Sequence, residues 1–172
     1  MLPTLSPELK QAQQIAGTAQ VFAIIALVAI GVTIAVDGGL PIGVALFDTD
    51  MNWRQQISRI SMIIITLIPA VLFYEAVNRL RLALQHYGNG EFFSSDASAR
   101  VAQAGDLAIE AMVAVILVVP NLTLWIIERD GGFDMRLESE TVGMLAFACF
   151  VAAVGRILTA ATQLKAENDA FI

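Results

Sequence analysis

Three observations predict an all-α integral membrane bundle of four transmembrane helices. Hydrophobic residues make up 57% of the 172 positions and charged ones only 15%, where soluble chains carry roughly 45–50% and 25%. Four stretches, residues 11–36, 60–74, 111–127 and 141–155, contain no Asp, Glu, Lys or Arg. Polar segments separate them, and about 20 apolar residues are what a helix needs to cross the hydrocarbon core. The spans are therefore placed at about 17–36, 57–77, 107–127 and 141–161, within one domain.

The remaining composition excludes several classes. A net charge of −6 with ten Lys and Arg dispersed over the chain offers no cationic face for nucleic acid. Cys149 is the single cysteine, so no intramolecular disulfide and no thiolate cluster can form. It reads as a small apolar filler. Lys10 alone precedes the first apolar run and no A-x-A pattern follows it, so the first span is expected to be retained rather than cleaved.

The first helix is expected to start at Ser6 as a cap with Pro7 in its first turn and to end near Val36, where "DGG" breaks it. Residues 37–56, rich in glycine and ending on Trp53, are expected to lie back on the membrane surface. Asp48, Asp50 and Asn52 have the opening spacing of a calcium loop, yet Trp53 replaces its glycine and Arg59 its final Glu, so no calcium site is expected. Helix two is placed over residues 57–82, kinked at Pro69. The glycines of "HYGNG" end it, and Ser94 or Ser95 caps helix three. Pro120 kinks that helix and Trp125 marks its far interface. A short acidic loop then leads to helix four, which begins near Thr141.

Lys and Arg near the span ends set the orientation. Lys10, Arg79, Arg81, Arg100 and Lys165 fall on one side, against Arg54, Arg129 and Arg136 on the other. Both termini are thereby expected in the cytoplasm, with helices two and three extended into it.

Ionisable residues at membrane depth are candidate functional positions. Glu75, Glu110 and Arg156 share one leaflet, and Glu110 and Arg156 are expected to form an ion pair that fixes register between helices. Arg59 belongs to the other leaflet, with Asp50 and Glu128 as its expected partners. Pro69 and Pro120 each free a backbone carbonyl one turn earlier, as in the broken helices of transporters, although a neighbouring helix can satisfy it. His86 lacks ligands at metal spacing. Gly88 and Gly90 form G-x-G without a preceding strand. Asn121-Leu122-Thr123 sits inside a span, where interhelical hydrogen bonding is its expected use. Gly31 with Ala35, and Ala148 with Ala152, form small-residue faces.

The turn "G-x-x-F-S" at residues 90–94 and the tail "L-K-x-E-N-D" at residues 164–169, within this four-span layout, resemble the small bacterial membrane proteins catalogued as domain of unknown function 2975. The resemblance implies a multi-pass protein of the bacterial inner membrane with no assigned reaction. It also implies a membrane-tethered partner for a cytoplasmic regulator.

No nucleophile with a base, metal set, phosphate loop or cofactor signature occurs, so no enzyme and no cofactor are expected. The expected function is non-catalytic: an accessory subunit of a larger membrane complex or a partner of a cytoplasmic regulator, in contact with lipid and with protein. The expected interaction surface comprises His86, Tyr87, Phe92, Phe93, Lys165, Glu167 and Asn168. The alternative is a small transporter or channel subunit using the charges of the cytoplasmic leaflet.

Overall fold

In the computed structural model, residues 7–48, 52–128 and 132–170 are described, and among them all regular structure is helical. Four helical segments are long and apolar enough to cross a membrane: Pro7–Phe47, Trp53–Gly88, Ser95–Ile127 and Ser139–Ala170. Two contain a single π-helical turn. The elements are α1 (Pro7–Ile34), a π turn (Ala35–Gly39), α2 (Leu40–Phe47), α3 (Trp53–Gly88), α4 (Ser95–Val113), a second π turn (Ala114–Val118), α5 (Val119–Glu128) and α6 (Ser139–Ala170).

The first span does not stop at "DGG", as the sequence suggested. The N–H of Leu40 donates to the carbonyl of Ala35, five residues back, and this wider turn lets Pro41 enter the helix without its ring striking the preceding turn. Leu67 of α3 packs onto Gly38: a Cβ there would lie 2.2 Å from Leu67 Cδ1 and make that side chain turn aside. The surface segment expected over residues 37–56 is therefore helix as far as Phe47. Ser6 and Asp50, expected as a cap and an ion-pair partner, lie outside the described residues.

α3 begins at Trp53, where the N–H of Asn52 donates to Gln55 Oε1 at 3.3 Å. It carries buried Pro69 in its interior and runs to Gly88. Ser94 caps α4 as expected, its Oγ accepting from the Ala97 N–H at 3.3 Å. α6 starts at Ser139, two residues ahead of its expected start, and its polar end stays helical to Ala170.

The four spans pack in chain order: α1 along α3, α3 along α4, α4 along α6. No extended contact joins α1 or α3 to α6, so the expected bundle is an open row with two broad faces. The closest seam is α4 on α6. A Cβ on Gly105 would lie 2.3 Å from the Ala152 nitrogen, and one on Gly155 would lie 2.3 Å from the Ala102 nitrogen. Bare glycine backbone lets two helices approach to this distance. Ala148 and Ala152, the small-residue face foreseen on span four, are buried at the same seam. Phe22, Val28, Phe147, Phe150 and Ile157 are left exposed, which suits a chain surrounded by lipid rather than water.

Candidate functional site

At one end of the row the chain reverses between α3 and α4. Gly90 has φ 86°, a conformation that costs other residues about 1–2 kcal/mol, and the Glu91 N–H returns to the His86 carbonyl at 3.0 Å. This places the His86 ring between two acids. Nδ1 is 2.5 Å from Glu91 Oε2 and Nε2 is 3.2 Å from Asp96 Oδ2. Both ring nitrogens can donate at once only in the imidazolium form. Arg100 Nε donates to the same Asp96 oxygen at 2.7 Å. That hydrogen bond, aided by the charges of Arg100 and His86, holds the Asp96 carboxyl below its ordinary range.

Aromatic contacts bring the neighbouring elements in. Tyr87 and Phe92 stack with centroids 6.4 Å apart. The Lys165 ammonium of α6 sits 4.1 Å from the centre of the Phe93 ring. From α1, the Gln13 side chain lies so close to Gly90 that a Cβ there would be 2.7 Å from Gln13 Nε2. Five of the expected interaction residues, His86, Tyr87, Phe92, Phe93 and Lys165, thus gather at one turn. Glu167 and Asn168 are exposed on the last turns of α6.

The charges within the row are arranged differently from the expected pair. Arg156 Nη2 donates to Asp106 Oδ1 at 2.9 Å, and among the described residues Glu110 has no ion-pair partner. The reason is register. Gly155 meets Ala102 and Ala152 meets Gly105, so Arg156 lies level with Val101 and roughly 13 Å along the axis from Glu110, at 1.5 Å per residue. Asp106 is one turn nearer. On α3, Glu75 Oε1 accepts from Arg79 Nε at 2.7 Å, and Arg79 Nη1 donates to Gln103 of α4 at 3.3 Å. Arg59 is exposed, and the Glu128 side chain, like Asp50, falls outside the described residues.

These charges share one face of the row. At 100° per residue, Asp106 and Glu110 lie on average roughly 160° round α4 from Ala104 and Ala108. The same angle separates Glu75 and Arg79 from Phe73 and Val77 on α3, and Arg156 from Phe147 and Val151 on α6. The second set of residues lines a cavity of about 470 Å³ on the opposite face. One broad face of the row is therefore charged across three helices, and the other carries an apolar groove.

At the other end, the second π turn precedes Pro120 as the first precedes Pro41: the Val119 N–H donates to the Ala114 carbonyl, five residues back. The carbonyl of Ile116, which Pro120 cannot serve, accepts from the Arg136 N–H at 3.3 Å. Asn121 was expected to bridge helices. Instead its Nδ2 donates to the carbonyls of Leu117 at 2.6 Å and Asp134 at 2.7 Å, while its Oδ1 accepts from the Asp134 N–H at 3.0 Å. One carboxamide thus satisfies both backbone groups of Asp134 and folds residues 132–138 against the kinked helix as an extended strap. Phe133, Met135 and Leu137 are exposed along it.

Sequence reasoning missed Asp106, the Gly105 and Gly155 seam, and the strap. The strap had a signal, the alternating apolar residues of "FDMRL". The pairing of Arg156 had none, because interhelical register is not written in any one helix. Among the described residues no three His, Cys, Asp or Glu side chains converge as a metal set.

The model of a family described as "Protein of unknown function (DUF2975)" matches residues 10–172. No curated protein and no solved structure matches the chain.

Proposed function

The chain belongs to that family, which assigns no activity, and from its geometry we propose a non-catalytic membrane protein that works as an accessory subunit of a larger complex. The observation that carries this reading is the charged face. Glu110 is exposed within an apolar stretch, and the Arg156 side chain, 70% exposed, gives only one nitrogen to Asp106. Charged groups against hydrocarbon are costly and normally face protein or water. An open row that shows them on one broad face is half of an interface, and partner helices bearing polar groups complete it.

The end holding His86 and Phe93 faces the cytoplasm in this reading, because Lys10, Arg79, Arg81, Arg100 and Lys165 collect toward it. The membrane is the inner membrane of a bacterium. The clasp of His86, Glu91, Asp96 and Lys165 then holds residues 88–94 in a fixed shape for a cytoplasmic partner. A transporter reading gains no support at Pro120, since the freed Ile116 carbonyl is already bonded by Arg136.

Affinity purification of the full chain in mild detergent tests the proposal. The chain is expected to migrate in an assembly larger than itself, with the partner lost in Glu110→Gln and Arg156→Gln. Cys149 lies a heptad from Arg156 on the same face, so an oxidised Cys149 dimer would identify the partner as a second copy. A lone monomer that carries ion flux in liposomes, abolished by Glu110→Gln, would overturn the accessory reading.

A further inference from the structure

We propose that the face opposite the charges is a binding site for one zwitterionic phospholipid, its acyl chain in the groove between α3 and α6 and its headgroup at the strap. The groove exists because α3 and α6 both pack on α4 without closing on each other. Its floor is Ala104 and Ala108, its walls include Phe73, Leu80, Met144 and Phe147, and its volume is about 470 Å³. Apart from Glu140 at one end, the lining is apolar or small.

That end does not close. A second cavity of about 410 Å³ adjoins it, sharing Phe73 and lined by Thr141 of α6 and by Arg136 and Glu138 of the strap. Here the lining turns polar: Thr66, Thr141, Glu138 and Arg136, beside the two buried prolines Pro69 and Pro120. A wholly apolar trough that ends in a mixed-charge chamber has the polarity profile of an amphiphile. Arg136 donates its Nε to Asp134 Oδ2 at 3.4 Å and keeps its two terminal nitrogens for a phosphate, to which a guanidinium donates charge-assisted hydrogen bonds. Glu138 and Glu140 disfavour a purely anionic headgroup and suit an ammonium beside that phosphate. The ligand class is therefore a zwitterionic phospholipid with a primary ammonium, phosphatidylethanolamine.

The alternative occupant, a helix from another protein, fits the walls poorly. Helices in membranes associate closely through small residues, and here the small residues lie at the bottom of the trough with Phe73, Met144 and Phe147 above them. An acyl chain is thin enough to lie between those walls. Because lipid tails are as apolar as the groove, the tail gains little by leaving the bilayer, and the headgroup contacts supply the selectivity.

Native mass spectrometry of the full chain, purified in detergent and titrated with defined phospholipids, tests the site. Gly143 lines the groove and has open space where a Cβ would stand, so Gly143→Leu fills the trough without striking another helix. Wild type is expected to retain one phosphatidylethanolamine. Arg136→Ala and Gly143→Leu should each lower its occupancy roughly tenfold, the loss expected for one charged hydrogen bond or a blocked cavity. Ala153→Leu, on the charged face, should leave phosphatidylethanolamine occupancy unchanged, and circular dichroism should show all three variants helical. Equal retention by wild type and both variants would overturn the proposal, as would phosphatidylglycerol binding as well as phosphatidylethanolamine. A photocrosslinker at position 143 that captures a second copy instead of lipid would also overturn it.

Discussion

The two ends of the row are held by different kinds of interaction. Where α3 turns into α4, side chains meet side chains: His86 between Glu91 and Asp96, Arg100 on Asp96, Lys165 on Phe93. All are partly open to solvent, so each contact is weakened by screening and by the entropy of holding long side chains. Where α5 turns into α6, one side chain meets backbone, and Asn121 pairs both half-buried backbone groups of Asp134. The first end is adjustable by pH and salt, and the second is fixed. An interaction surface suits the former and a structural seal the latter.

The largest effect is expected at the strap. Asn121→Ala removes the partner of both half-buried backbone groups of Asp134 and should cost roughly 2 kcal/mol, read as lowered thermal stability in detergent. A loss below about 1 kcal/mol would mean that water reaches the strap and that the two ends are alike. Next comes Gly90→Ala, which meets both a positive φ and the Gln13 side chain and should cost about 1–2 kcal/mol. Lys165→Ala removes a contact at an open site and should cost about 0.5–1 kcal/mol, with Lys165→Arg retaining most of it.

The smallest effect is on pH dependence. Asp96 titrates below its ordinary range when folded, so its contribution is fully present above that range, about pH 4, and is lost as the pH falls through the lowered value. Asp96→Asn should flatten the acid limb of a stability curve relative to wild type. A curve unchanged by the substitution would show that the Arg100 contact is absent in solution.

How much of this was legible follows the range of the interaction. Ser94 capping a helix and Gly90 reversing the chain are local, and each acted where the sequence placed it. "DGG" misled because a glycine can end a helix or admit a neighbour, and Leu67, 29 positions away from Gly38, decided for the second. Arg156 was recognised as needing an acid, yet Asp106 rather than Glu110 lay within reach. Asn121 was recognised as a hydrogen-bonding residue, with the wrong partner.

The four apolar stretches by themselves determined helices long and apolar enough to cross a membrane, and hydrocarbon admits a backbone only when its own polar groups are paired within it. At "HYGNG" the turn residues also determined where α3 reverses into α4. Only the tertiary structure decided that they stand in an open row, with charge on one face and a groove on the other. Those properties depend on how deeply Gly105 and Gly155 let α4 and α6 approach and slide, a relation between two helices that neither contains alone.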